Sequence, residues 1–171
     1  MDKPKIVWLK NDLSVYDTEF KFTSQSGGAV VADTESAKLE FYIGNNIIKD
    51  TATEDAVYDA CDCYIRILAE DGTMNSTIVR EKWVYGKCLS RSTDGDAYTP
   101  LGGTTSAEEK LSVGNSTTAG KISGAANDGT LAASEANLSK ISLYVKPPLN
   151  TDANGGPQSA LLALAYSYGD Q

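Results

Sequence analysis

The chain has 171 residues, a formal charge of −8 from 15 basic and 23 acidic residues, and no histidine. That length suits one domain whose core needs no metal or disulfide staple, since about 150 residues already bury roughly 70% of the unfolded chain's surface. The acidity argues against nucleic acid and anionic membrane as partners, because phosphate binding needs clustered Lys and Arg. The missing histidine removes the usual general base and the commonest transition-metal ligand.

Ile6-Val7-Trp8-Leu9 opens a short apolar strand just after Pro4. Val15–Phe22 alternates and predicts a second strand, with Phe20 and Phe22 on one side and Lys21 facing away. Ala37, Leu39, Phe41 and Ile43 alternate with Lys38, Glu40 and Tyr42 in the cleanest strand pattern of the chain, which Gly44-Asn45-Asn46 ends. Thr51–Asp55 has room for one helical turn. Tyr58–Ala69 predicts a long strand, and Glu70-Asp71-Gly72 a turn after it. Thr77–Leu89 predicts a returning strand that is apolar on neither face, with room for a bulge near Gly86. Ser92–Asp96 is a loop, and Tyr98–Gly103 follows as a kinked extended segment.

Residues 104–137 differ in character, being dense in Ser, Thr, Gly, Ala and Asn with isolated apolar residues at Leu111, Val113, Ile122 and Leu131. Taken alone the segment reads as a low-complexity extended loop or arm inserted in the domain. The best helical candidate, the Ala-rich Gly129–Ala136, is short. The closing stretch from Ser139 to Gln171 is a strand, a Pro147-Pro148 stop, a polar loop and a last strand. Ile141, Leu143 and Val145 alternate with Ser142, Tyr144 and Lys146; Leu162, Leu164, Tyr166 and Tyr168 share one side of the final strand. The fold expected is an all-β, antiparallel β-sandwich, Ig-like or jelly-roll-like, in a single domain over 1–171.

Candidate chemistry is faint. Cys61, Cys63 and Cys88 give no self-contained disulfide framework. Cys61 and Cys63, two apart on a strand, should share one face, but three thiols without histidine fall short of a zinc set, so they are read as small buried hydrophobes. The acidic pairs Asp17 with Glu19, Asp59 with Asp62, and Asp94 with Asp96 read as solvated loop acids rather than a hydrolytic pair. Asp94-Gly95-Asp96 and Asn127-Asp128-Gly129 lack the spacing of a calcium loop. Asn75-Ser76-Thr77, Asn115-Ser116-Thr117 and Asn137-Leu138-Ser139 match the glycosylation pattern by chance composition. No catalytic, cofactor or metal residue is assigned, and no cofactor is expected. Tyrosines outnumber the other aromatics, and Tyr64, Tyr85, Tyr144, Tyr166 and Tyr168 fall on expected strands, where most read as half-buried sheet residues.

IVWLKND, KLEFYIGNN, YIRILAEDG, IVREKWVYGKCLS, YTPLGG, SLYVKPPLN and LALAYSY together resemble small structural proteins from tailed bacteriophages of Gram-positive hosts. The resemblance implies a β-sandwich virion component on the tail, baseplate or capsid surface, without catalysis. Its implied partners are further copies of itself, in an oligomer or lattice, other phage structural proteins, and the host surface. No apolar run approaches the roughly 18 residues of a membrane span, and MDKPK at the start lacks the features of a secretory signal. Assembly in a host cytoplasm into the virion is therefore expected. The rival reading is a carbohydrate- or receptor-binding module that uses exposed tyrosines.

Overall fold

A computed structural model describes residues 1–47, 55–91, 96–115, 118–149 and 158–169. The expected helical turn at Thr51–Asp55, most of the Ser92–Asp96 loop, and the loop before the last strand lie wholly or largely outside these residues. The protein is mostly β, and every strand pair is antiparallel.

Among the described residues nine strands form two sheets: β1 (Ile6–Leu9), β2 (Leu39–Asn45), β3 (Cys61–Leu68), β4 (Val84–Cys88), β5 (Thr99–Thr104), β6 (Ala107–Glu109), β7 (Leu111–Ser112), β8 (Leu138–Val145) and β9 (Leu161–Ser167). The larger sheet has the order β1-β2-β8-β4-β5-β6 and the smaller one β7-β3-β9. One core lies between them. Phe41, Ile43, Ile141 and Leu143 reach it from the large sheet, and Cys63, Ile65 and Ile67 from the small one. Register carries the alternation across strands, with Phe41 opposite Ile141 and Ile43 opposite Ser139. On the other side of the large sheet Leu9, Leu13, Ile47 and Leu138 form a second, smaller cluster.

Strand β8 is central and buried on both sides. Its outward Tyr144 is covered by Tyr85, stacked at 5.0 Å, and by the edge of Tyr98 at 4.9 Å. Tyr98 in turn shares a 2.9 Å hydrogen bond with Ser142. Gly86 of β4 sits where Leu101, Leu111 and Leu143 converge, each 3.0 Å from the position a Cβ would take.

Two expected strands are corrected. Thr77–Leu89 is not one strand: Thr77–Arg80 is a single helical turn, α1, and only Val84–Cys88 is extended. The Ser76 hydroxyl caps α1 by accepting from the Val79 N–H, and Ile78 and Val79 are both buried. Adjacent residues on a strand point to opposite faces, so one helical turn buries this pair where a strand would expose one of them. Val15–Phe22 likewise forms no strand. Val15 makes one isolated bridge to Leu9, and the chain then runs without a ladder. Its alternation still serves packing, since Phe20 lies 4.9 Å from Phe41 and 4.4 Å from Tyr16, ring centre to ring centre.

Residues 104–137 do not stand apart as an arm. They supply β6 and β7, bury Val113 and Ile122 completely, and leave Leu131 exposed. Ile122 and Ala60 exchange backbone hydrogen bonds of 3.0 and 2.9 Å. The Ala-rich stretch holds turns and a 3-10 segment at Glu135–Asn137 rather than an α-helix.

Candidate functional site

The corner after β2 explains how so polar a segment packs. Asn45 is fully buried; its amide nitrogen donates to Tyr58 O at 3.0 Å and Ile122 O at 3.4 Å, while its oxygen accepts from the Lys5 N–H at 2.9 Å. Asn46 sits at φ 62° and donates to Asp55 O, Gly124 O and Ala125 O. Asn137 donates to Asn45 O and Ala125 O, and Asn127 to Asn46 O. Buried backbone carbonyls must find donors, and these amides supply them where no strand can. The corner is a structural knot, and its burial puts the Asn137 sequon out of reach of a modifying enzyme.

The ionisable groups pair with nearby cations and hydroxyls or close local turns. Burial pushes the Asp59 carboxyl up, but the Lys121 ammonium at 2.6 Å and the Gly124 N–H outweigh it and hold the group below its ordinary range. Asp62 accepts from the Ser167 hydroxyl, and Asp96 pairs with Lys87. Asp71 and Asp128 are lowered by the hydroxyls of Thr73 and Thr130, as turn acids are. Each of these acids has its own partner. Among the described residues no three His, Cys, Asp or Glu groups come together as a metal site.

The cysteines separate. The pairing of β3 with β9 shifts register between Cys61 and Tyr64, and Asp62 takes φ 51°, so Cys61 and Cys63 do not share the core face. Cys63 is in the core, where burial pushes its thiol up to about 12. Cys88 is also buried and shares a 3.3 Å contact with the Ser139 hydroxyl. Cys61 is only partly buried and lines a shallow depression of about 450 Å³ with Tyr58, Asp59, Lys121 and Gly169.

The tyrosines fall into two groups. Tyr85, Tyr98 and Tyr144 pack on one another over the large sheet. Tyr166 and Tyr168 are 39% and 51% exposed and tilt by 37° to each other; Tyr58 lies 6.3 Å from Tyr168 at 40°. The parallel pair, Tyr85 and Tyr144, is stacked face on face, so neither group makes the flat side-by-side platform a sugar ring would lie on.

What remains is the edge of the small sheet. β9 pairs with β3 on one side, and among the described residues no strand pairs with its other side. Leu162 and Leu164 lie opposite Ile67 and Ile65 and pack on the core, yet stay partly exposed where their β3 neighbours are buried. Leu161 is 44% exposed on the outer face. Unpaired edges invite strand addition, and proteins blunt them with charge, brevity or cover. The other three edges are blunted so. β1 accepts a hydrogen bond from the Tyr16 N–H at Trp8 O, β6 is the three residues Ala-Glu-Glu, and β7 has two residues. β9 has seven, none of them charged. The sequence displayed this composition; its place at an edge depends on strand order, which no local pattern reveals.

No protein-family model matches the chain, no curated protein is detectably similar to it, and no solved structure matches it.

Proposed function

We propose that this chain is a non-enzymatic structural subunit, a β-sandwich that works through protein–protein contacts in the particle of a tailed bacteriophage. The observation that carries the contact reading is β9, a seven-residue uncharged edge beside three blunted ones. Strand addition to such an edge gains main-chain hydrogen bonds and covers half-buried leucines at once. The tail, baseplate or capsid-surface setting rests on the resemblance of the quoted segments, which fall on β1, β2, β3, α1 with β4, β5, β8 and β9. Fellow copies, other virion proteins and the host surface are the partners this reading calls for, with assembly in the host cytoplasm. Acidic surface keeps unassembled subunits soluble.

The test is mass spectrometry of purified particles from a host carrying this gene. Peptides of the chain at a fixed copy number per particle support the reading; particles of normal composition that lack it overturn the virion role. The carbohydrate-binding alternative would rest on the exposed Tyr166 and Tyr168, whose rings tilt by 37° to each other rather than lying flat. Retention on a glycan array that Tyr168→Ala abolishes is the result that alternative requires.

A further inference from the structure

We propose that β9 pairs antiparallel with β9 of a second copy of this chain about a twofold axis, making one continuous sheet across both copies. The proposal rests on the assembly reading above and names its first partner.

Charge selects that partner. With a net charge of −8, a copy is repelled by any acidic face it meets. From Gln158 to Gly169 the chain carries no Asp, Glu, Lys or Arg, so two β9 strands meet without opposing like charges. The same pairing at β6 would set Glu108 directly against its own copy, which destabilises a sheet.

Geometry agrees. A twofold axis normal to the sheet places core-face residues beside core-face residues, and closed twofold dimers are the commonest homo-oligomers. Full overlap of Leu161–Ser167 centres the axis on Leu164. Leu164 then faces its own copy, Leu162 faces Tyr166, Ala163 faces Ala165, and Leu161 faces Ser167. The two leucines that β3 leaves half-covered gain the cover they lack. Seven residues at about 3.3 Å each span roughly 23 Å, so the contact is one strand long and one strand wide. The pair is a reversible dimer, strengthened when many copies are held in one particle.

The experiment is sedimentation velocity of the full chain over rising concentration, with folding of each variant checked by circular dichroism. Ala163 and Ala165 lie on the outer face opposite Arg66 and Tyr64 of β3. Ala163→Glu with Ala165→Glu opposes like charges twice across the axis. Ala163→Glu with Ala165→Lys opposes unlike charges twice. The wild type should move from monomer to dimer, the first variant should stay monomeric with at least a tenfold weaker association, and the second should dimerise. A wild type that stays monomeric, a first variant that dimerises as well as the wild type, or a second variant as monomeric as the first overturns the self-pairing. The virion reading falls separately, on the composition of particles.

Discussion

Residues 118–137 are rich in Gly, Ser, Ala and Asn, yet Ile122 is fully buried and asparagine amides tie the segment to the β2 corner. β9 is built of leucine, alanine and tyrosine with one serine, yet it keeps part of every side chain in solvent. Composition alone suggests the reverse for each. A polar segment is ordered when its backbone groups find partners, and Asn45, Asn46 and Asn137 supply them. An apolar strand stays half-covered when, among the described residues, a strand pairs with one side of it only. The first region is closed by its own hydrogen bonds, and the second keeps an edge that no described strand pairs.

The largest test of this contrast is Ile122→Ala, expected to cost about 4 kcal/mol in urea unfolding, as for a fully buried isoleucine. A loss near that of an exposed residue would show that the segment is not part of the core. Asn45→Ala comes next. It strips donors from Tyr58 O and Ile122 O and the acceptor from the Lys5 N–H, and should cost about 2–3 kcal/mol. Leu164→Ala should cost the monomer only about 1–2 kcal/mol, because part of its surface is wet already. Were Leu164→Ala to exceed Ile122→Ala, the ranking of the two regions would be inverted.

The smallest effect belongs to the exposed Asp59–Lys121 pair. Asp59 has its carboxyl held below the ordinary value, so its contribution is complete above about pH 4 and is lost as pH falls through the lowered value. Lys121→Met should therefore cost well under about 1 kcal/mol at neutral pH, since both side chains are more than a third exposed. The difference between variant and wild type should close in acid. A gap that widens below pH 4 would reverse the assigned sign.

Much of the β framework was legible in the chain. Strand β3 alternates cleanly because it has one face on the core, and β2 begins the same way, whereas β8 is buried on both faces and β9 on neither. Alternation reports a face, however, and not a hydrogen-bonded neighbour. Val15–Phe22 shows this, packing Phe20 without a ladder. α1 was hidden because one capped turn is too short to set a helical period. The separation of Cys61 from Cys63 comes from a register shift at Asp62 that depends on the pairing strand. The candidate site follows the same rule. The uncharged composition of β9 is local and readable, whereas its edge position is set by the order of strands far apart in sequence.

The central claim is that β9 is the strand left open for association, and amide hydrogen exchange at low and high protein concentration tests it most directly. Opening energies are read residue by residue in such a measurement. At low concentration, alternate amides of Leu161–Ser167 that point away from β3 should exchange quickly; at high concentration they should become protected, with β1 unchanged. Association without new protection in β9, or protection appearing at β1 instead, would contradict the account.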